Sequence, residues 1–187
     1  MSDAFPPERL STDELFRRHA SFVARLLYHL GVARADIEDV LQEVFIVVHR
    51  LGGYVCGPAT PTSYLASIAY RAAASARRRS HTQRTRSSAA LPDELAAENA
   101  NPLQLLERSR EQQQLAAALE RLSPEARLLV VLVDLEGESC AAIAASEDIP
   151  VGTVYWRLHR ARGKFRDAVR RLEAKTELVR RPESRPL

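Results

Sequence analysis

The chain has 187 residues, 45% of them hydrophobic, which suits one globular domain or two small ones. This composition excludes a chain that is disordered throughout. No apolar run approaches the ~20 residues that cross a bilayer, and the segment Met1–Glu14 is acidic and contains prolines, unlike a secretion signal. We therefore expect a cytoplasmic protein.

The charges are segregated along the chain, although the formal net charge of +3 is modest. Residues 151–187 contain eleven Arg or Lys and four Asp or Glu, and residues 71–86 contain six Arg and no acidic residue. Two separate basic surfaces indicate a polyanion contacted at two places. Solvated helix faces are the alternative interpretation of either run. Cys56 and Cys140 lack metal-ligand spacing, so we expect reduced thiols, no metal and no cofactor.

Three amphipathic helices are predicted in residues 1–80. The first covers roughly Thr12 to Leu30, where apolar residues, beginning with Leu15 and Phe16, recur with a helical period up to Gly31. The second ends at Gly52-Gly53 and carries its apolar residues at helical spacing, namely Ile37, Val40, Leu41, Val44, Phe45 and Val48. The third, Ser63 to Arg79, ends in three consecutive arginines.

A flexible linker is predicted at residues 81–102, which are rich in Ser, Thr, Ala and Asn and lack a sustained apolar period. It would join a domain at residues 1–80 to a domain at residues 103–187. Leucines from Leu103 to Leu122 predict a helix that ends near Ser123-Pro124. The next helix has Ser123 as its cap and Pro124 in its first turn, and its apolar run continues through Leu135 to Gly137. No segment predicts a strand of several residues, so the expected fold class is all-α, with two small helical domains.

The end of the chain predicts a helix-turn-helix motif. Ser139 caps a short helix, Cys140–Glu147, which Asp148-Ile149-Pro150 breaks before a longer basic helix begins at Val151. In this motif the second helix enters the major groove of DNA. Its expected core residues are Val154, Leu158, Ala161, Phe165, Val169 and Leu172. The opposite face and its flanks present the candidate DNA-contacting residues Thr153, Tyr155, Trp156, Arg157, His159, Arg160, Arg162 and Lys164.

These side chains suit different parts of DNA. Arg160 can fork onto a guanine edge, whereas Arg157, Arg162 and Lys164 suit phosphates, which set register without reading sequence. Trp156 suits stacking or contact with a thymine methyl group. The alternative interpretation is that Trp156 packs in the core and the arginines only solvate the helix.

Ordered motifs in both halves resemble the extracytoplasmic-function class of bacterial RNA polymerase sigma factors. In the second half the similarity lies in Leu122–Arg127, Asp134–Gly137, and Ile149–Val154 followed by Arg157–Arg162. In the first half, Asp36–Phe45 resembles the polymerase-binding helix of that family. The corresponding candidate residues are Asp36, Asp39, Gln42, Glu43 and Ile46. Most of them form an acidic stripe with an apolar tip, which suits a basic partner helix; a solvated acidic face is the alternative.

The resemblance further implies that Gly52–Thr62 captures a base flipped from the melted promoter and that Tyr64–Arg78 contacts the upstream strand. The candidate minus-ten DNA-binding residues are Tyr54, Tyr64, Arg71, Ser75, Arg77, Arg78 and Arg79. Flipping a base requires a pocket and positive charge for its backbone, and the arginines supply the charge. The chain departs from the family pattern at Tyr64, Arg71, Ser75 and Tyr155-Trp156, so an atypical promoter is expected.

The function implied by the resemblance is that of a sigma factor. It would bind core RNA polymerase, direct promoter-specific initiation without enzymatic activity of its own, and be controlled by an anti-sigma factor. Without the resemblance, composition and periodicity predict only a two-domain helical DNA-binding protein. At that level a free-standing helix-turn-helix regulator and a helical adaptor that uses its charged faces for protein contacts stay open.

Overall fold

The computed structural model describes residues 9–86 and 113–180. The described helices, in chain order, are α1 (Thr12–His29), α2 (Ile37–Arg50), α3 (Pro61–Arg86), α4 (residues 113–120), α5 (Pro124–Val130), α6 (Cys140–Glu147) and α7 (Val151–Arg180). A short 3-10 turn, Arg34–Asp36, precedes α2, and a π-helical turn, Val131–Leu135, follows α5. The all-α fold predicted from the sequence is confirmed. Within the described residues, no helix is long and apolar enough to span a membrane.

Helices α1, α2 and α3 pack against one another around a shared apolar core. Its fully buried large side chains are Leu15, Val23, Leu26, Leu27, Leu30, Val40, Val44, Val48 and Leu65. Ser11 begins α1 with a capping box, in which its hydroxyl accepts from the Glu14 amide at 3.3 Å and the Glu14 carboxylate accepts from the Ser11 amide at 2.9 Å. The Ser11 amide and the Ser11 hydroxyl both donate to the Glu14 carboxylate, and these two hydrogen bonds lower the pKa of Glu14.

A two-residue antiparallel pairing of β1 (Arg9–Leu10) with β2 (Tyr54–Val55) ties the chain before α1 to the loop after α2. Gly53 makes this close approach feasible because its φ is +87° and a Cβ at this position would overlap the carbonyl oxygen of Leu10. The strands are too short to show the alternating pattern by which strands are predicted from sequence.

The second helical group, α4 to α7, has a core centred on the seam between α5, α6 and α7. The hydroxyls of Ser123 and Ser139 cap α5 and α6, as predicted from the sequence. Asp148 ends α6 in the left-handed conformation, with φ of +54°, and the Ile149 amide donates to the Ala144 carbonyl at 3.0 Å. This turn leads into α7 and completes the predicted helix-turn-helix.

The two helical groups contact each other through α3 and α6. Arg25 on α1 forms an ion pair with Glu136 at 3.1 Å, and the Thr60 hydroxyl donates to the Glu138 carboxylate at 2.8 Å. A cavity of about 90 Å³ lies at this contact, between Tyr70 of α3 and residues of the second group. Both acidic partners lie in the connection between α5 and α6.

Several sequence expectations differ from the structure. Helix α3 continues to Arg86, six residues into the predicted linker; residues 87–102 of that linker and 103–112 of the next predicted helix lie outside the described residues. Phe16 and Leu135, both placed in apolar runs, are 46% exposed. Phe16 faces outward against Phe45, and Leu135 lies at the end of the π-helical turn, where the change in helical period rotates it away from the core.

Candidate nucleic-acid interface

The first half of α7 has one buried and one exposed face. Val154, Leu158 and Ala161 are buried against the rest of the second helical group, as predicted, while Phe165, Val169 and Leu172 are half-buried. The seven exposed candidates on the helix are Tyr155, Trp156, Arg157, His159, Arg160, Arg162 and Lys164, and Thr153 is half-buried. Trp156 is 58% exposed and therefore does not pack in the core. The face that the sequence predicts to contact DNA is thus open to solvent.

The arginines of this face are held in different ways. Arg162 donates from Nε to both carboxylate oxygens of Asp134 at 3.2 Å, and this hydrogen bonding raises the pKa of Arg162. Arg157 lies 3.9 Å from the Glu147 carboxylate. The guanidinium carbon of Arg160 lies 4.7 Å from the centroid of the Trp156 ring. Acidic groups on the preceding elements therefore orient two arginines, and an aromatic ring orients a third.

Two tyrosines assigned to the minus-ten site build the loop after α2. Tyr54 is only 5% exposed, and its hydroxyl donates to the Ala59 carbonyl. Tyr64 donates to the Gly53 carbonyl at 3.1 Å, and burial raises the pKa of its hydroxyl. The two rings lie 5.4 Å apart. Their hydroxyls and rings therefore set the shape of this loop.

Within residues 61–80, the arginine side chains of α3 differ in exposure and in the contacts that they make. Arg71 is exposed, whereas Arg77 is half-buried and donates to the Leu30 carbonyl at the end of α1. Arg79 forms an ion pair with Glu43 at 2.8 Å and donates to the Ser75 hydroxyl at 3.4 Å. Arg78 is also exposed. The sequence shows the positive charge of this helix but not which guanidinium groups are already engaged.

The acidic stripe of α2 lies at the surface. Asp39, Gln42 and Ile46 are exposed, Asp36 and Glu43 are half-buried, and the Ser80 hydroxyl donates to Asp36 at 3.4 Å. An apolar groove adjoins the stripe, lined by Phe16, Gln42, Phe45, Ile46, His49 and Arg50. Phe16 is thus part of the surface beside the stripe.

Arg127 is buried, although the sequence did not single it out as a functional or structural residue. Arg127 is 8% exposed; its Nε donates to the Leu119 carbonyl at 2.7 Å and its Nη1 to the His29 carbonyl at 3.4 Å. Burial lowers its pKa. Arg127 therefore links α5 to the preceding helix and to the end of α1. The sequence signal was its place in the Leu122–Arg127 motif, which gave no hint of burial.

Family models of two sigma-factor regions match the chain: "Sigma-70 region 2" at residues 15–83 and "Sigma-70, region 4" at residues 112–165. The chain is 38% identical over 167 residues to the ECF RNA polymerase sigma factor SigE of Mycolicibacterium smegmatis, covering 89% of this chain and 64% of that protein. It is 32% identical over 164 residues to the RNA polymerase sigma factor CarQ of Myxococcus xanthus, covering 86% of this chain and 90% of CarQ.

Two solved structures have a similar fold. The sigma factor RpoE in complex with the anti-sigma factor NepR from Bartonella quintana has a TM-score of 0.59 at 18% identity, covering 84% of this chain and 96% of that chain. CnrH in complex with the cytosolic domain of CnrY has a TM-score of 0.53 at 22% identity, covering 83% of this chain and 85% of that chain. At these identities the likeness concerns the fold alone.

Proposed function

Because the chain belongs to the extracytoplasmic-function class of RNA polymerase sigma factors, we propose that it binds core RNA polymerase and directs promoter-specific transcription initiation. The observation that carries this proposal is the presence, in one chain, of an acidic stripe at the surface of α2, with exposed and half-buried carboxylates, and an exposed basic face on α7. The chemistry of RNA synthesis belongs to the polymerase, and the protein itself is not an enzyme.

Polymerase binding is assigned to the α2 stripe and the groove beside it. Asp39 and Gln42 present polar groups, while Ile46 and Phe16 are 49% and 46% exposed. A surface that combines acidic and apolar side chains is suited to a basic amphipathic helix, since charge steers the encounter and apolar burial contributes affinity. Glu43 is oriented by Arg79, which keeps its carboxylate at the edge of this surface.

Minus-ten recognition is assigned to the loop of residues 52–62 and to α3. The tyrosine pair and Gly53 give the loop a defined shape, which a base-capturing pocket needs in order to offset the cost of unstacking. The arginines of α3, with Arg71 and Arg78 exposed, supply positive charge for the strand backbone. Minus-thirty-five recognition is assigned to the exposed face of α7.

The domain organisation follows from these assignments. The polymerase-binding and minus-ten domain, predicted at residues 1–80, extends to Arg86, where α3 ends. Residues 87–102 are then the linker, which passes through the polymerase, and residues 103–187 are the minus-thirty-five domain. Both similar structures are complexes: one of the sigma factor RpoE with the anti-sigma factor NepR, the other of CnrH with the cytosolic domain of CnrY. By analogy, an anti-sigma factor controls this chain, which acts in the cytoplasm.

Transcription in vitro with core polymerase over a genomic promoter library tests the proposal. We expect core polymerase plus the chain to initiate at a defined set of promoters that core polymerase alone ignores. Tight operator binding without polymerase and no promoter-specific transcript would instead identify a free-standing regulator. A helical adaptor would show no promoter binding, whereas a DNA-binding holoenzyme loses affinity steeply with salt because phosphate contacts release counterions.

A further inference from the structure

Trp156, the single tryptophan of the chain, lies beneath the guanidinium group of Arg160. The two residues are one helical turn apart on α7, and the guanidinium carbon is 4.7 Å from the ring centroid. Both side chains are exposed, on the face opposite the buried seam of Val154 and Leu158. The contact therefore lies within the face assigned to the minus-thirty-five element.

Arg160 differs from the neighbouring arginines in the kind of group that contacts its guanidinium. Arg162 is bound to Asp134, and Arg157 lies beside Glu147, so carboxylates on the preceding elements direct both side chains. In the described part of the chain, no carboxylate lies within ion-pair distance of Arg160. The indole ring is the group that restrains its guanidinium.

Stacking restrains an arginine without using its hydrogen-bond donors. When a guanidinium stacks with its face on a ring, its N–H groups lie in the guanidinium plane and stay available. Two parallel N–H donors match the O6 and N7 acceptors that guanine presents in the major groove. An arginine oriented in this way before binding loses less side-chain freedom when it reaches a base.

We propose that Trp156 is a positioning residue that holds Arg160 for recognition of one guanine in the minus-thirty-five element. This inference rests on the proposed function, because it requires α7 to lie in the major groove. It differs from a direct base contact by Trp156, since the ring acts through Arg160. Loss of the ring must therefore weaken the same base preference that loss of Arg160 abolishes.

The stack itself is measured without DNA, using the fluorescence of the single tryptophan in the full-length protein. Arg160→Ala should increase quenching of Trp156 by acrylamide, because it uncovers one face of the ring. Arg166→Ala, on the same helix, is the matched control and should leave quenching unchanged. Equal quenching of wild type and Arg160→Ala would overturn the stack.

The consequence for recognition is measured with holoenzyme on a promoter library randomised across the upstream element. Arg160→Ala should abolish a guanine preference at one position, by about tenfold or more. Trp156→Leu should weaken the same preference about two- to fivefold, and Trp156→Phe, which retains an aromatic face, should restore most of it. In the Arg160→Ala background, Trp156→Leu should have no further effect on that preference.

The outcomes separate the inference from the proposed function. Promoter-specific transcription with an unchanged guanine preference in Trp156→Leu overturns the positioning role and leaves the sigma-factor function intact. A preference lost at a different base pair would assign Trp156 a base contact of its own, which also overturns the inference. A wild-type protein that selects no promoter overturns both.

Discussion

Two pairs of contacting side chains on the proposed DNA-binding surfaces, one of two tyrosines and one of a tryptophan with an arginine, have opposite environments. Tyr54 and Tyr64 are packed into the loop after α2, and both hydroxyls donate to backbone carbonyls. Trp156 and Arg160 lie open to solvent and contact each other. The first pair supports the backbone of its loop, whereas the second presents side chains to a ligand. All four residues were assigned to DNA binding from their chemistry. The two tyrosines instead support the backbone beneath a surface, whereas Trp156 and Arg160 are part of the exposed surface itself.

The largest effect on stability is expected at Gly53, in the loop after α2 that Tyr54 and Tyr64 shape. Gly53→Ala places a Cβ against the Leu10 carbonyl at a φ of +87°. We expect it to lower the free energy of unfolding by about 2–4 kcal/mol, from backbone strain and steric overlap. Chemical denaturation measures the loss. Gly152→Ala on α7, where a Cβ meets no atom within 4 Å, is the control, and equal losses in both variants would contradict a structural role for the loop.

Charge reversal on α2 tests whether the acidic stripe forms an interface. The double variant Asp39→Lys, Glu43→Lys should weaken binding to core polymerase about tenfold, or about 1.4 kcal/mol, through charge repulsion with a basic partner. Its circular dichroism spectrum should be unchanged, since both residues lie at the surface. The control is the double variant Glu120→Lys, Asp167→Lys, which makes the same change in charge elsewhere on the surface. Co-elution of the α2 variant with polymerase at wild-type affinity would indicate a solvated stripe.

The tyrosine pair and the Trp156–Arg160 pair are compared directly by substituting one aromatic residue of each with phenylalanine. Tyr54→Phe leaves the Ala59 carbonyl without its donor in a part-buried site, so the free energy of unfolding should fall by about 1 kcal/mol. Trp156→Phe on the exposed face should change it by less than about 0.5 kcal/mol. Thermal and denaturant unfolding measure both values. A larger loss in Trp156→Phe than in Tyr54→Phe would reverse the comparison.

Two arginines of α3 make the same distinction within one helix. Arg71→Ala should weaken promoter binding by holoenzyme and lower the salt slope by about one, with stability unchanged, because this side chain is exposed. Arg77→Ala should instead lower stability by about 1 kcal/mol, because the Leu30 carbonyl loses its donor. Filter binding over a salt series and denaturation give the two readouts. If both variants had the same effects on promoter binding and on stability, the distinction between an exposed and an internally bonded arginine would be wrong.

The smallest effect is expected from pH at the contact between the helical groups. Burial lowers the pKa of His29, with Glu136, Arg25 and Arg127 as its charged neighbours. Below about pH 6.5 the unfolded state therefore binds more protons than the folded state, so stability falls as pH decreases through this window. His29→Gln should flatten that part of the profile. An identical pH dependence in wild type and His29→Gln would exclude His29 as the cause.

Local patterns in the sequence predicted much of the fold. The caps at Ser123 and Ser139 and the break at Asp148–Pro150 depend on residues within a few positions of one another, and each was confirmed. The buried face of α7 was confirmed in its first half, at Val154, Leu158 and Ala161, whereas the later residues of that face are half-buried. The family was likewise identified from ordered motifs and confirmed by comparison. The assignments of individual polymerase- and DNA-contacting residues stay predictions.

Only the tertiary structure decided which side chains are available to a partner. Charge and periodicity place Arg79 and Arg162 on basic helices, but their carboxylate partners lie on other elements of the fold, at Glu43 and Asp134. Arg127 is buried where it donates to backbone carbonyls from two helices, and Phe16 lies at the surface, where its ring contacts Phe45 of α2. Helical periodicity determines which face of a helix a residue occupies, whereas the packing of distant segments determines what that face meets.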